Sequence, residues 1–426
     1  MNRKHSSLML ALLAVGLLWT TPANANENEA DLRAQLDELK QQVSELQSKR
    51  AENVDTEIEA YLDSDTGWAN EAQGDAGTNN VTITAMITSV NQNTVDQDDN
   101  RSLVSGMVEL NFAFKVTDNL SIFTNLFANT NGHLDAPGGF ANGDTTLAAA
   151  YDGNGVDSTV LNRANGGVQV HEAGFNWTTP LGGIELDMTF GLIDPRYRYL
   201  TSAFGDDFRT GFLNNQFVDQ SAISWATTRA GGNILGANFM MAFGGEKQFV
   251  LQFGYYNGPG RFFDFGQLYI EIHWKGEISG RAMNVKAMVM LDALNNVGSD
   301  MDTQYGVHWD WMMTDTIGLF ASIAGNSEDS QAVEMSWTIG AVFMGLISSR
   351  PDDEIGIAIG MLTGNDTFNA ALTEDELIVE AYYRYTLEGG KLQFTPHVQF
   401  ISDPGGGATF SDDTLFILGI RVHVPF

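Results

Sequence analysis

From Val81 to the C-terminus, apolar residues recur at every second position in segments of about nine to twelve residues, the length of a tilted strand crossing a bilayer. Val108, Leu110, Phe112, Phe114 and Val116 oppose Glu109, Asn111 and Lys115. Ile184, Leu186, Met188, Phe190 and Leu192 oppose Glu185, Asp187 and Thr189. The same alternation sets Leu268, Ile270, Ile272 and Trp274 against Glu271, His273 and Lys275, and Tyr305, Val307, Trp309 and Trp311 against His308 and Asp310. It returns in Leu377–Leu387, against Glu376, Glu380 and Arg384, and in Leu392–Phe400, against His397 and Gln399. Successive side chains of a strand point to opposite faces, so each segment predicts a strand with one greasy and one polar face.

The last strand, Leu415–Phe426, has Phe416, Leu418, Ile420, Val422, Val424 and Phe426 on one face and Arg421 and His423 on the other. Alone it would suit a soluble sandwich or a membrane barrel. Its connections separate the two. Tight turns (Thr117-Asp118-Asn119, Pro180–Gly183, Thr314-Asp315-Thr316) alternate with long Gly/Asn/Asp-rich stretches such as Asn129–Asn165 and Gly364–Glu374. Short turns at one end and long loops at the other predict an outer-membrane barrel, an all-β antiparallel fold. At roughly 20–22 residues per strand and connection, residues 81–426 make about sixteen strands. Pairing of the last strand with Val81–Ser89 would close the barrel and remove its edges. Trp309, Trp311, Tyr383, Tyr385 and Phe426 fall near strand ends, where interfacial girdles form.

Before the barrel the pattern changes. Arg3, Lys4 and His5, the apolar run Leu8–Trp19 and Ala23-Asn24-Ala25 have the layout of a secretory signal peptide over residues 1–25. Within residues 26–62, Leu32, Leu36, Leu39, Val43 and Leu46 follow heptad spacing, which predicts a short periplasmic coiled-coil helix. It runs under three heptads; a solvated amphipathic helix is the alternative, and self-association as a homotrimer the sharper reading if the body is a porin. Residues 63–80, polar and small, read as a linker.

Composition narrows the classes. The 426 residues include no cysteine, which excludes disulfides and thiolate chemistry. Forty-five glycines and 26 phenylalanines against 9 prolines suit a turn-rich β protein. With 22 basic and 54 acidic residues the net charge is −32, which argues against nucleic-acid partners. Removing residues 1–25 takes away Arg3 and Lys4 but no acid. An acidic lumen would gather cations, so a cation-selective pore is a second reading. Seven histidines stand beside no serine-nucleophile motif, so no enzyme, cofactor or metal site is expected.

In the C-terminal third, the runs Glu380–Tyr385, Leu392–Ile401, Asp403–Gly406 and Leu418–Arg421 resemble the carbohydrate-selective porins of the OprB family. Ser349–Asp353 and Ile355–Gly360 look similar, and Phe212–Phe217 more weakly so. The resemblance is good over about 330–426, patchy from about 190, and not evident over 81–165. It implies a sixteen-stranded bacterial outer-membrane barrel passing sugars and other small hydrophilic solutes. It also implies that Phe426 is the terminal aromatic read by barrel-assembly machinery. The heptad segment and the acidic total depart from the simplest members. A barrel that merely anchors a periplasmic tether is a further alternative.

In such a pore, selectivity rests on the groups at the narrowest point. The polar faces place Glu271, Glu380, Arg384 and Arg421 on the lumen side. Arg196 and Arg198 in the dense Arg196–Tyr199 cluster, and Arg209 after Asp206-Asp207, are further pore-lining candidates. They either reach the constriction from a strand end or an infolded loop, or pair with nearby acids away from it.

Overall fold

The computed structural model describes residues 80–95, 102–129, 168–223, 225, 235–244, 248–257, 266–292, 302–327, 332–367, 370, 372–406 and 414–426. All of them belong to one compact unit, Glu59–Phe426. The expected signal peptide, heptad helix and most of the linker lie outside the described residues.

Sixteen strands form one closed antiparallel barrel in which each pairs with its neighbours in sequence and the first pairs with the last. They are β1 (Val81–Val95), β2 (Ser102–Thr117), β3 (Leu120–Asn129), β4 (Gln169–Leu181), β5 (Ile184–Leu192), β6 (Leu235–Phe243), β7 (Phe249–Asn257) and β8 (Gln267–Ile278). The second half comprises β9 (Arg281–Asp292), β10 (Asp302–Thr314), β11 (Ile317–Asn326), β12 (Val333–Met344), β13 (Glu354–Gly364), β14 (Glu376–Leu387), β15 (Leu392–Ser402) and β16 (Thr414–Pro425). Closure runs in register from Met86 opposite Pro425 to Val95 opposite Phe416. Phe426 extends it: its backbone N–H donates to the Ala85 carbonyl at 2.7 Å. With no edge left, each described strand is paired on both sides, the arrangement a bilayer demands.

The alternation sets the orientation of each strand. On β8, Ile272 is 57 % exposed while Glu271 and His273 beside it are 2 %. In a single-walled barrel that contrast means apolar side chains outside and polar ones packed within. At the tight end, β4 and β5 are joined by Gly182 and Gly183 alone, with φ of +59° and +90°. Both must be positive for a two-residue hairpin matching the strand twist, and glycine takes that conformation without a Cβ penalty. Trp177, Trp309, Trp311, Tyr383, Tyr385 and Phe426 gather at this end. The opposite end carries the long connections, and one of them turns inward.

Candidate functional site: a loop held inside the barrel

After β5, at the long-loop end, the described residues 193–223 and 225 lie within the barrel. Among them Ile193, Tyr199, Phe212, Leu213, Asn214, Gln216 and Ala222 are at most 1 % exposed, which a loop over the rim could not be. The inward course starts with local capping. Asp194 accepts from the Arg196 N–H at 2.9 Å and opens a 3₁₀ turn, Pro195–Tyr197. Asn214 likewise accepts from the Gln216 N–H at 3.0 Å and opens the short helix α1, Asn215–Val218. Side-chain oxygens here satisfy N–H groups that a turn leaves orphaned. Apolar residues then seat the loop: Phe208, Leu213 and Val218 pack with Met86, Val90, Met107 and Phe127 of β1 to β3.

Wall carboxylates hold the backbone. Glu380 of β14 accepts from the Leu213 and Asn214 N–H groups, each at 2.8 Å. Glu271 of β8 accepts from the Leu200 N–H at 2.6 Å. Asp310 of β10 accepts from the Ser202 hydroxyl at 2.9 Å and the Ala203 N–H at 3.1 Å. Basic wall residues take the carbonyls: Arg421 of β16 donates to Phe208 O at 2.7 Å, and Lys286 of β9 to Thr201 O at 2.9 Å. Hydrogen bonds in which one partner is ionised are the stronger kind, more so where water is scarce. Wall glycines leave space for the loop's side chains. A Cβ on Gly306 of β10 would overlap Leu200, and one on Gly318 of β11 would overlap the Phe204 ring.

The loop arginines are themselves paired. Arg198 donates to Glu172 of β4 at 2.7 Å. Arg209 meets both oxygens of Glu109 of β2, at 3.0 and 2.9 Å, and Asp207 at 3.1 Å. Arg196 pairs with Asp194 at 2.9 Å and with Asp219 at 3.5 Å. Arg384 of β14 bonds Glu354 at 2.6 Å and the Thr210 carbonyl at 3.3 Å, and at 19 % side-chain exposure it is the least covered of the seven predicted residues. All seven thus come together, either on the loop or on the wall behind it. The three loop arginines lie on the infolded loop and are paired with acids.

Glu172, Asp194, Asp219 and Glu354 were not among the predicted residues, nor was the aromatic stack of Tyr199 on Tyr269 (4.9 Å) and Trp225 on Tyr269 (6.0 Å). Glu354 could have been found as an acid at an inward position with no basic neighbour on its own strand. Two of the inward histidines take side-chain partners from β1: His423 lies 2.9 Å from the Thr88 hydroxyl, and His397 lies 3.1 Å from the Gln92 amide. Along the loop, Asp206 is partly exposed and the Asp207 side chain is 40 % exposed. Burial raises the Asp207 carboxyl, but the Arg209 guanidinium and the Thr210 hydroxyl outweigh it and bring the pKa to about 2. Asp206 is pushed well up, by desolvation and then by the nearby charge of Asp219. One acid of this pair is therefore firmly ionised and the other resists ionisation.

Residues 301–426 match the model of the carbohydrate-selective porin, OprB family. Among solved structures, the high-pH structure of Pseudomonas putida OprB is similar with a TM-score of 0.63 and 16 % identity, covering 82 % of this chain and 94 % of that one. The low-pH structure of the same protein gives 0.50 and 12 %, covering 82 % and 93 %. At such identities the likeness is one of fold. No curated protein matches the chain. The last 126 residues of the chain thus match the OprB carbohydrate-selective porin family, and the barrel as a whole has the fold of the solved porin structures.

Proposed function

We propose that the barrel passes carbohydrates and other small hydrophilic solutes by passive or facilitated diffusion, and that the space left between the infolded loop and the wall sets what enters. The observation that carries this reading is the loop itself, fixed to wall strands from β2 to β16 by paired carboxylates and bases. A channel narrowed by a fixed loop selects by size and by hydrogen-bonding groups along its wall. Arg384, Asp206 and Asp207 border the opening in this proposal. Arg196, Arg198, Arg209, Glu271, Glu380 and Arg421 act one step behind, as positioning residues that hold the constriction. The work asked of the chain is passage, with no catalytic group, cofactor or metal in it. Residues 26–62 form a periplasmic extension in the same reading.

Swelling of liposomes carrying the purified protein tests this directly. Small neutral sugars should enter, at rates falling with size. No swelling with any sugar would leave the barrel an anchor. Asp207, ionised throughout the physiological range, favours a second reading in which cations pass preferentially; the reversal potential in a salt gradient separates the two.

A further inference from the structure

The infolded loop covers the inner wall unevenly. Its ties run from Glu271 on β8, through Lys286 on β9 and Asp310 on β10, to Thr338 on β12, Glu380 on β14 and Arg421 on β16. Small inward side chains of that sector are covered: Ser336 and Thr338 are 0 % and 1 % exposed, and Ala358 of β13 is 2 % exposed. On β4 the loop meets Glu172, close to the end from which it enters the barrel.

Farther along β4, and on β5 beside it, the inner wall is open. Phe175 and Trp177 face outward, so Asn176 and Thr178 face inward. On β5, Asp187 and Thr189 alternate with the apolar Leu186, Met188 and Phe190 and face inward likewise. Thr178 is exposed, and Asn176, Asp187 and Thr189 are partly exposed. Register gathers the four, with Thr189 opposite Asn176 and Asp187 opposite Thr178. Nearness to the mouth does not account for the difference. Asp187 is the fourth residue of its strand from the tight-turn end, as are Gln252 of β7, Asn284 of β9, Phe320 of β11 and Thr395 of β15. Those four are buried, at 5 %, 4 %, 1 % and 1 %. An inward side chain of a closed barrel reaches solvent only through the lumen, so water stands against β4 and β5 at a depth where the loop and its packing fill other sectors.

We infer that solute passes on one side of the lumen, against the inner faces of β4 and β5, and that Asp187, with Thr178 and Thr189 beside it, is a specificity-determining wall residue. Hydroxyl and amide groups there exchange hydrogen bonds with sugar hydroxyls, while the carboxylate disfavours solutes that carry an acid of their own. The inference rests on the proposed diffusion of sugars and adds where in the barrel they move and which of them are held back.

The chain contains no cysteine, so single thiols report on it cleanly. In planar bilayers, Thr189→Cys treated with a trimethylammonium thiosulfonate, which attaches a bulky cation through a disulfide, should lose conductance in steps. Ala358→Cys, inward on β13 but covered, should lose none. In liposomes, Asp187→Asn should raise the rate of gluconate entry relative to that of glucose. Failure of Thr189→Cys to react, reaction with conductance unchanged, or equal loss at both cysteines would overturn the inference, as would an unchanged gluconate-to-glucose ratio. Conductance is read without sugar, so a parent protein that conducts ions and takes up no sugar would sink the sugar reading while the cysteine pair still judges the path.

Discussion

Glu380 stands at 0 % exposure with each carboxylate oxygen holding one backbone N–H of the loop, at Leu213 and Asn214. Glutamine there keeps the shape but offers one acceptor and an amino group facing a donor. Losing a charge-assisted bond of this kind costs about 1.5–3 kcal/mol. The fold should survive, because that segment is tied elsewhere through Arg421, Arg209 and Gln216. Glu380→Gln is therefore expected to raise single-channel conductance and open-state noise without changing barrel heat-modifiability. Conductance equal to the parent would mean that this carboxylate does not govern the opening. At this scale the sequence was informative about side and uninformative about partner. That Glu380, Glu271 and Arg421 face inward follows from alternation with apolar neighbours. That each binds a stretch some seventy to two hundred residues away does not follow from any local pattern.

The turn between β12 and β13 shows how one element is locked to the next. Arg350 donates to Asp353 at 2.6 and 2.7 Å and to the Thr386 carbonyl at 2.8 Å, and lies 3.7 Å over the Tyr385 ring. Asp353 in turn accepts from the Thr386 N–H at 3.0 Å and from the Tyr383 hydroxyl. The Arg350 guanidinium chiefly, with the Thr386 and Tyr383 donors, outweighs desolvation and holds the carboxyl at about 2, below its ordinary 3.8. A depressed carboxyl stabilises the fold above its unfolded pKa, and the contribution fades as pH falls through the folded value. The clasp should thus be intact at neutral pH and weaken between about pH 4 and pH 2. Asp353→Asn is expected to lower the temperature of the heat-modifiable gel shift at pH 7 and to narrow the gap from the parent at pH 2. A gap as large at pH 2 as at pH 7 would rule the ionised clasp out. The Ser349–Asp353 turn is legible in sequence, as part of the family resemblance. Its grip on β14 is set by barrel pairing of strands β13 and β14.

At the scale of the whole molecule, the heptad spacing of residues 32–46 makes self-association through the N-terminal stretch an expectation of the sequence. Deleting residues 27–62 is expected to move the monomer–oligomer midpoint in analytical ultracentrifugation to higher protein concentration. An unchanged midpoint would leave the heptads without a part in assembly. By itself the sequence determined the strand-rich class, the inward and outward faces, the two unlike ends and the approximate strand number. Those follow from side-chain alternation and turn chemistry, which act between residues close in the chain. Only the tertiary structure decided that residues 193–223 enter the barrel, that Gly306 and Gly318 clear space for Leu200 and Phe204, and that Asn91 and Asn93 share a level with Ile420 and Leu418. A loop goes where distant acids, bases and hollows complement it, and a strand's depth is fixed by its neighbours' register. Neither is written in the spacing of adjacent residues.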